Sequence, residues 1–289
     1  MTTVFVDTDC DVTPRFCKEH GFKLISMPYS INGEEIFPYE SFDVFEYHEF
    51  YEKLRSGILP NTSSISEYKY REYFEPEFKA GNDILYIHFS PVLSCTFTVM
   101  NSLVEQLLEE YPGRKFETIN TKTITVGALN IICEISDMLK AGKSIEEVKK
   151  WTDENAEHFP VYLFADDLKF FHHSGRVNGL SAVMGSILGI RPIIHIDSEG
   201  HFIVIGKERG RMKALQRIMD YIDELGDNIK EHRVIIGQAD CGEIADKAIE
   251  MLRSKYGDDL KIEVIPVNPT AGSHCGPDTL GISFYAKHR

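Results

Sequence analysis

Hydroxyl groups and one histidine give this chain its clearest means of holding a small anion. Segment 61–66 (NTSSIS) places four hydroxyls within five residues, directly before a predicted tyrosine-rich helix. Segment 90–96 (SPVLSCT) joins a predicted strand to a predicted helix, and segment 272–277 (GSHCGP) carries His274 after an apolar run that predicts a buried strand. Hydroxyl, imidazole and backbone N–H donors suit a carboxylate or a phosphate. Ordinary helix capping by a serine and an exposed turn around the histidine are the structural alternatives.

Three carboxylates form a second candidate site. Asp7, Asp9 and Asp11 follow the first predicted strand, and carboxylates this close hold Mg²⁺ or supply a nucleophile and an acid for phosphoryl transfer. The pattern resembles the start of the haloacid-dehalogenase phosphatases, and Ser90 and residues 166–167 (DD) fit the later motifs of that family. The aspartate at position 11 departs from that pattern, where Thr or Val is usual. A phosphohydrolase of this type also leaves the hydroxyl-rich segments without a role.

Two arginines stand in positions that favour contact with an anion or a partner. Arg176 follows a glycine in segment 174–177 (SGRV), and Arg209 begins segment 209–213 (RGRMK) at the start of a predicted helix. Basic residues at a helix start oppose the helix dipole, so a patch kept there indicates an anionic or protein partner. A solvated surface arginine is the alternative for each residue taken alone.

The composition excludes several classes of function. The chain has 289 residues, 43% of them hydrophobic, and a formal net charge of −14. This charge disfavours nucleic acid or an anionic membrane surface as the main partner, because both require basic patches. The sequence shows neither a transmembrane segment nor a signal peptide. Six cysteines without a CxxC pair indicate reduced thiols in a cytoplasmic protein, with Cys241 and Cys275 as small packing residues or, alternatively, reactive thiols.

Alternating strand and helix signals predict an α/β fold. Strands are predicted at 3–6, 23–31, 83–90, 116–120, 161–165, 191–196, 201–207, 234–238 and 261–267. Helices are predicted between them, including 14–20, 97–111, 126–140, a helix with a capping box at Ser144, 212–224 and 243–256. The N-terminal half should form a mostly parallel sheet with helices on both faces. The hairpin around 197–200 makes the C-terminal sheet mixed, and the predicted domains are 1–157 and 158–289, with a ligand between them.

Taken together, these segments resemble the DegV family of bacterial fatty-acid-binding proteins. The resemblance extends over nearly the whole chain and rests on segments 7–11, 62–66, 90–97, 174–177, 191–192, 209–213 and 272–277. Three residues depart from glycines of the usual pattern. Ser174 bears on partner docking, whereas Cys95 and Asp278 bear on the shape of the pocket edge.

The resemblance implies a non-catalytic carrier that buries one long-chain fatty acid and presents its carboxylate to a separate fatty acid kinase, which forms the acyl phosphate. It implies no cofactor and no metal, only the bound fatty acid. The carboxylate would bind Thr62, Ser63, Ser94 and His274, and Arg176 and Arg209 are candidates for docking the kinase. The candidate residues for the acyl tail are apolar side chains near these segments, namely Ile65, Phe97, Ala182, Val183, Met184, Ile187, Leu188 and Ile190. The alternative function is a Mg²⁺-dependent phosphohydrolase that uses Asp7 and Asp9.

Overall fold

The computed structural model describes residues 1–179 and 189–289. The strands in these ranges are β1 (Thr2–Asp7), β2 (Lys23–Ile25), β3 (Tyr29–Ile31), β4 (Glu34–Ile36), β5 (Asn61–Thr62), β6 (Asp83–His88), β7 (Phe116–Asn120), β8 (Val161–Phe164), β9 (Val177–Asn178), β10 (Ile190–Ile196), β11 (Phe202–Arg209), β12 (Arg233–Gln238), β13 (Lys261–Pro266) and β14 (Leu280–Ser283). The helices are α1 (Pro14–His20), α2 (Tyr47–Arg55), α3 (Glu67–Lys79), α4 (Thr96–Glu110), α5 (Thr125–Lys140), α6 (Ile145–Asn155), α7 (Leu168–Ser174), α8 (Arg211–Leu225), α9 (Gly242–Tyr256) and α10 (Pro269–Cys275).

The first sheet is parallel throughout. Its four strands have the order β2-β1-β6-β7, and each neighbouring pair runs in the same direction. Parallel sheets need cover on both faces, and the carboxyl-terminal halves of β1 and β6 are buried accordingly. Because the strands share one direction, the segments that leave β1, β6 and β7 start at the same edge of the sheet.

The second sheet is mixed and has two buried faces. Its described strands have the order β13-β12-β14-β8-β10-β11-β9, with an antiparallel β10–β11 hairpin. Val161 and Leu163, two residues apart on β8, belong to the core cluster shared with the first sheet. Tyr162 and Phe164 point the other way, into a second cluster with the apolar faces of α8 and α9. The predicted α/β fold class, with a parallel sheet followed by a mixed one, is therefore confirmed.

A third, small sheet supplies part of the polar segment before α3. It consists of β4-β3-β5, and Asn32 and Gly33 connect β3 to β4 with φ of 53° and 85°. Positive φ at both central residues is the turn that an Asn-Gly pair favours in hairpins. The predicted continuous strand 23–31 is wrong, since the chain leaves the first sheet after Ile25 and enters this small sheet at Tyr29.

Two expectations for the C-terminal region are also corrected. The predicted buried strand near 262–267 is β13, which pairs only with β12 among the described strands and leaves Val264 41% exposed at the edge of the sheet. The segment that carries His274 is helix α10 rather than a loop or exposed turn. Pro269 occupies its first turn and the Asn268 side chain accepts a hydrogen bond from Ala271 N, which together begin a helix.

Candidate ligand-binding site

A cavity of about 230 Å³ lies where the edge of the first sheet meets a face of the second. The first sheet contributes residues from the segments that follow β1, β6 and β7. The second contributes side chains that project from its strands, while α10 closes one side. The lining is largely apolar and includes Met27, Phe89, Leu93, Ile124, Val126, Val161, Leu163, Phe171, Phe202, Val267 and Ala271. Such a concave apolar site with a few polar groups is typical of a small-molecule pocket.

Two glycines in neighbouring strands open the floor of this cavity. Gly237 on β12 pairs with Gly281 on β14, and Gly281 pairs with Leu163 on β8. All three residues line the cavity. A Cβ atom at position 237 would lie 2.7 Å from Val126 Cγ1, and one at position 281 would lie 3.3 Å from Leu163 Cβ. The glycines therefore keep side chains out of the space that a ligand would fill.

The polar end of the cavity brings together all four residues predicted for the anion. Thr62, Ser63, Ser94 and His274 line it. Thr62 Oγ1 and His274 Nε2 share a hydrogen bond of 3.1 Å, although the two residues are 212 positions apart. Burial lowers the pKa of His274 to about 4, with further contributions from Arg176 and His173. The imidazole is consequently neutral near pH 7 and offers one N–H donor.

The serines around this end have one clear capping role among them. Ser66 caps α3 by accepting a hydrogen bond from Lys69 N, so the capping alternative applies to that residue. Ser63 donates to Glu35 at 2.6 Å, and Ser94 Oγ accepts from Thr96 N at 3.3 Å.

Packing explains the two glycines on either side of His274. A Cβ atom at Gly272 would lie 2.6 Å from the Tyr51 hydroxyl. Gly276 has a φ of 73° and lies directly against the ring of Phe170. Glycine is needed at both positions because neighbouring aromatic rings leave no room for a side chain. These contacts fix the place of α10 and, with it, the histidine.

The acidic turn after β1 is buried, and two of its carboxyl groups make hydrogen bonds that join the turn to other segments. Asp7 accepts hydrogen bonds from Cys10 N at 3.1 Å and from the Tyr86 hydroxyl at 2.9 Å. Asp11 Oδ1 accepts from the backbone N and the Nδ2 of Asn268 at 2.9 and 2.8 Å. Burial raises the pKa of Asp7 and of Asp11 to about 7.

These features do not favour a Mg²⁺ centre or a phosphohydrolase. A hard cation needs charged carboxylates, which burial disfavours in all three residues, and Asp7 and Asp11 are in addition bonded to neighbours. Asp166, which the phosphatase hypothesis placed in a later motif of that family, accepts hydrogen bonds from Arg191 and Arg211. Among residues 1–179 and 189–289, one group has the spacing for a metal, His48, Glu52 and Asp240, but it lies at the protein surface and Arg55 already pairs with Asp240.

Three of the residues predicted for the acyl tail are described by the structure, and they lie outside the cavity lining. Ile65 is fully buried and its backbone N–H donates to Thr96 Oγ1 at 3.1 Å. Phe97 packs with its ring centroid 4.5 Å from that of His88, and Ile190 begins β10, paired with Arg209 on β11. None of these three lines the cavity. The other predicted tail residues lie outside the described ranges, namely Ala182, Val183, Met184, Ile187 and Leu188.

Sequence reasoning missed most of the apolar lining. Val161 and Leu163 could have been predicted to lie on one face of a strand, since alternate residues of a strand share a face. Gly237 and Gly281 carried another, because glycine inside a strand often marks a close approach by a ligand or a backbone. The sequence did not reveal that β8, β12 and β14 are neighbours.

The two arginines differ in their distance from the cavity. Arg176 lines its mouth and an adjoining surface groove that includes Val92, Asn178 and His201. Arg209 is exposed at the end of β11, which is the neighbouring strand to β9. Both therefore stay accessible to a partner, in contrast to Arg211, which is paired with Asp166 and Asp278.

The structure shows the contacts of the three residues that replace glycines of the family pattern, and the burial of two cysteines. Ser174 donates to Phe171 O at the end of α7. Asp278 adopts a φ of 61°, a conformation that glycine accommodates more easily, and pairs with Arg55 and Arg211. Cys95 is exposed and lines the cavity mouth. Cys241 and Cys275 are buried, which raises the pKa of each thiol to about 12, so both are packing residues.

None of the helices within 1–179 and 189–289 has the length and apolar character that crossing a bilayer requires.

Comparison with known proteins extends the resemblance seen in the sequence. The chain is 30% identical over 282 residues to the DegV domain-containing protein CPE0026 of Clostridium perfringens (strain 13 / Type A), covering 97% of this chain and 96% of the relative. A stearic acid-binding protein from Eubacterium ventriosum superposes with a TM-score of 0.86 at 21% identity, covering 99% of both chains. DegV from Bacillus subtilis, a fatty acid binding protein, superposes with a TM-score of 0.81 at 23% identity, covering 99% of both.

The two structural matches show the shared fold. The model of the DegV family, which is described as uncharacterised, matches residues 1–287. With the relative of 30% identity over almost its full length, this match confirms the family predicted from the motifs. The chain belongs to the DegV family.

Proposed function

We propose that this protein binds one long-chain fatty acid in the cavity, with the carboxylate at Thr62, Ser63, Ser94 and His274. The observation that carries the proposal is an apolar cavity whose polar end holds the Thr62–His274 hydrogen bond. A carboxylate accepts from hydroxyl and imidazole donors, and such charge-assisted hydrogen bonds are stronger than neutral ones. The fatty acids bound by the Eubacterium ventriosum and Bacillus subtilis proteins support the same ligand class here.

The acyl tail would supply most of the affinity. Each CH₂ group removed from water contributes roughly 0.8 kcal/mol, and Phe89, Val126 and Leu163 offer apolar surface along the cavity. The polar end then fixes the orientation of the chain. The residues proposed from the sequence for the tail are retained as candidates, namely Ala182, Val183, Met184, Ile187 and Leu188. Ile65, Phe97 and Ile190 are retained as well and would act from behind the cavity wall.

The protein would act as a carrier and not as a catalyst. We propose that it presents the carboxylate to a separate fatty acid kinase in the cytoplasm, which forms the acyl phosphate. Arg176 at the mouth and Arg209 on β11 would contact the kinase or its phosphates, since both are exposed. Ranges 1–157 and 158–289 would be the two domains, because the first sheet ends at Asn120 and the second begins at Val161.

Native and denaturing mass spectrometry of the purified protein tests the ligand. A bound mass that is released on denaturation and identified as a fatty acid supports the proposal. The variant His274→Ala should lose the ligand or take it up more weakly, whereas His172→Ala, at an exposed position, serves as the matched control. A purified protein without ligand that also fails to take up stearic acid would contradict the proposal.

A coupled assay tests the partnership. The loaded protein is mixed with a fatty acid kinase and ATP, and acyl phosphate is trapped with hydroxylamine. Arg209→Ala should reduce the rate while leaving stearic acid binding unchanged. Arg176→Ala should also reduce the rate, and it is compared at saturating stearic acid because Arg176 lines the cavity mouth. Equal rates for both variants and the unmodified protein would remove these arginines from the docking surface.

A further inference from the structure

One carboxyl group borders the cavity without a hydrogen-bond partner. Asp9 lies in the 3₁₀ turn Thr8–Cys10 after β1, is 6% exposed, and lines the cavity. Its Oδ1 atom has no partner, and none of the hydrogen bonds among residues 1–179 and 189–289 involves this carboxyl group. Asp7 is bonded to Tyr86 and Asp11 through Oδ1 to Asn268, and neither of them lines the cavity. Asp9 is therefore the member of the acidic turn that is available to a ligand.

The 3₁₀ turn that carries Asp9 packs against both α5 and α10. Asp11, two residues further on, is bonded to Asn268, which caps the start of α10. His274 is six residues beyond Asn268, which corresponds to about 9 Å along a helix axis. The turn that carries Asp9 also packs against α5, whose first residues Thr125 and Val126 line the cavity. Asp9 thus lines the cavity without being one of the four residues, Thr62, Ser63, Ser94 and His274, proposed for the carboxylate.

The chemistry of a buried carboxyl group determines which chain suits this position. Burial, and then the nearby Asp7 and Asp11, raise the pKa of Asp9 well above its ordinary value. This shift favours the neutral form, which offers one O–H donor and a carbonyl acceptor. A plain hydrocarbon satisfies neither, and leaving a buried polar group without a partner is unfavourable.

We propose that Asp9 makes the cavity selective for a fatty acid with a hydroxyl group within its chain. This inference rests on the proposed function and specifies its substrate class. The ligand hydroxyl donates to the Asp9 carbonyl oxygen or accepts from its O–H, while the ligand carboxylate binds at Thr62 and His274. Asp9 acts here as a specificity residue and takes part in no reaction.

The test compares stearic acid with a positional series of hydroxystearic acids on the delipidated full-length protein. We expect at least one isomer with a mid-chain hydroxyl to bind about tenfold more tightly than stearic acid. Asp9→Leu should reverse this preference, and Asp9→Asn, which keeps a donor and an acceptor, should retain it. Asp11→Asn is the control for general disturbance of the turn. Lipid extracted from the unmodified protein provides a measurement that needs no variant, and it should contain a hydroxy acid.

The outcomes are distinguishable. Tighter binding of stearic acid than of every hydroxystearic acid by the unmodified protein would overturn the inference, since water or another group must then satisfy Asp9. A hydroxyl preference that survives in Asp9→Leu would also overturn it. Both results leave fatty acid binding intact. Failure of all the acids to bind would overturn the proposed function, and the inference with it.

Discussion

The two sheets meet the cavity in different ways. The parallel sheet contributes its carboxyl edge, so the residues that reach the cavity stand on turns such as 8–11, 89–95 and 121–126. The mixed sheet contributes a face, and Val161, Leu163 and Gly281 reach the cavity from within its strands. Turns have free polar groups and tolerate polar side chains, whereas a buried sheet face favours apolar ones. The edge therefore holds the acidic turn and Ser94, while α10 and the segment after α7 contribute His274 and Arg176, and the face sets the shape.

The largest effect should follow from removing the polar end. We expect the triple variant Thr62→Val, Ser94→Ala, His274→Ala to bind stearic acid about 100-fold more weakly, because charge-assisted hydrogen bonds contribute about 1.5–3 kcal/mol each and the losses are not additive. Calorimetric titration measures this loss. Head-group binding that survives in the triple variant would show that the carboxylate is held at another place in the cavity.

The acidic turn should make stability depend on pH. The folded-state pKa of Asp11 is about 7, above the ordinary 3.8, so the folded protein binds the extra proton more strongly than the unfolded chain. This stabilisation is complete below about pH 3.8 and is lost as the pH rises through 7. Asp11→Asn keeps the acceptor for Asn268 and has no proton to lose. Its free energy of unfolding relative to the unmodified protein should rise by about 2 kcal/mol between pH 5 and pH 8.

Denaturant titrations at the two pH values measure this difference. The exposed Asp43 provides the control variant Asp43→Asn, which should show no such change. A relative stability of Asp11→Asn that stays constant with pH would mean that the carboxyl group is not buried as described. The face variants discussed next should leave the pH dependence unchanged, because they add no ionisable group.

The mixed sheet should not accommodate a side chain at position 237 without a loss of stability. A Cβ atom there lies 2.7 Å from Val126, and overpacking of this kind costs about 1–3 kcal/mol. Gly237→Ala should therefore lower the midpoint of thermal unfolding and weaken the binding of long acids more than short ones. A thermal scan and a chain-length series from C12 to C18 measure both effects. An unchanged midpoint would show that α5 moves away at little cost.

Position 281 should give the smallest effect. The added methyl group of Gly281→Ala lies 3.3 Å from Leu163, which a small shift accommodates. We expect its free energy of unfolding to lie within about 1 kcal/mol of that of the unmodified protein. The preferred acid should be shorter by about one methylene group. The same chain-length series serves here. If Gly281→Ala shifted the preferred chain length as far as Gly237→Ala does, the conclusion that position 281 is less crowded than position 237 would be wrong.

Local signals account for what the sequence predicted well. Thr13 caps α1 before Pro14, and Ser144 and Glu147 form a capping box at α6, as expected from residues that lie within one turn of each other. The four residues predicted for the anion all line one cavity, and their role in binding a carboxylate stays a prediction. Their meeting was predicted through the family resemblance and not from spacing.

Long-range contacts account for what the sequence did not predict. Helix α10 depends on Asn268, which is held by Asp11 from 257 residues away. The edge exposure of β13 depends on strand order, which no local pattern encodes. The predicted tail residues Ile65 and Phe97 are neighbours of the anion site in sequence, but their side chains turn into the core. Proximity along the chain did not place these two residues in the lining, because the wall comes from the segments that follow β1, β6 and β7 and from strands of the other sheet.

A core cluster that contains residues of both sheets, among them Val6, Val161 and Ile235, includes much of the apolar cavity lining. An acyl chain in that space would complete the packing that joins the two halves, so it would stabilise the folded state by mass action. Proteins that lose such a ligand unfold more often and are degraded sooner. We therefore expect the cellular lifetime of this protein to follow its lipid supply, with starvation reducing its abundance even while its synthesis continues.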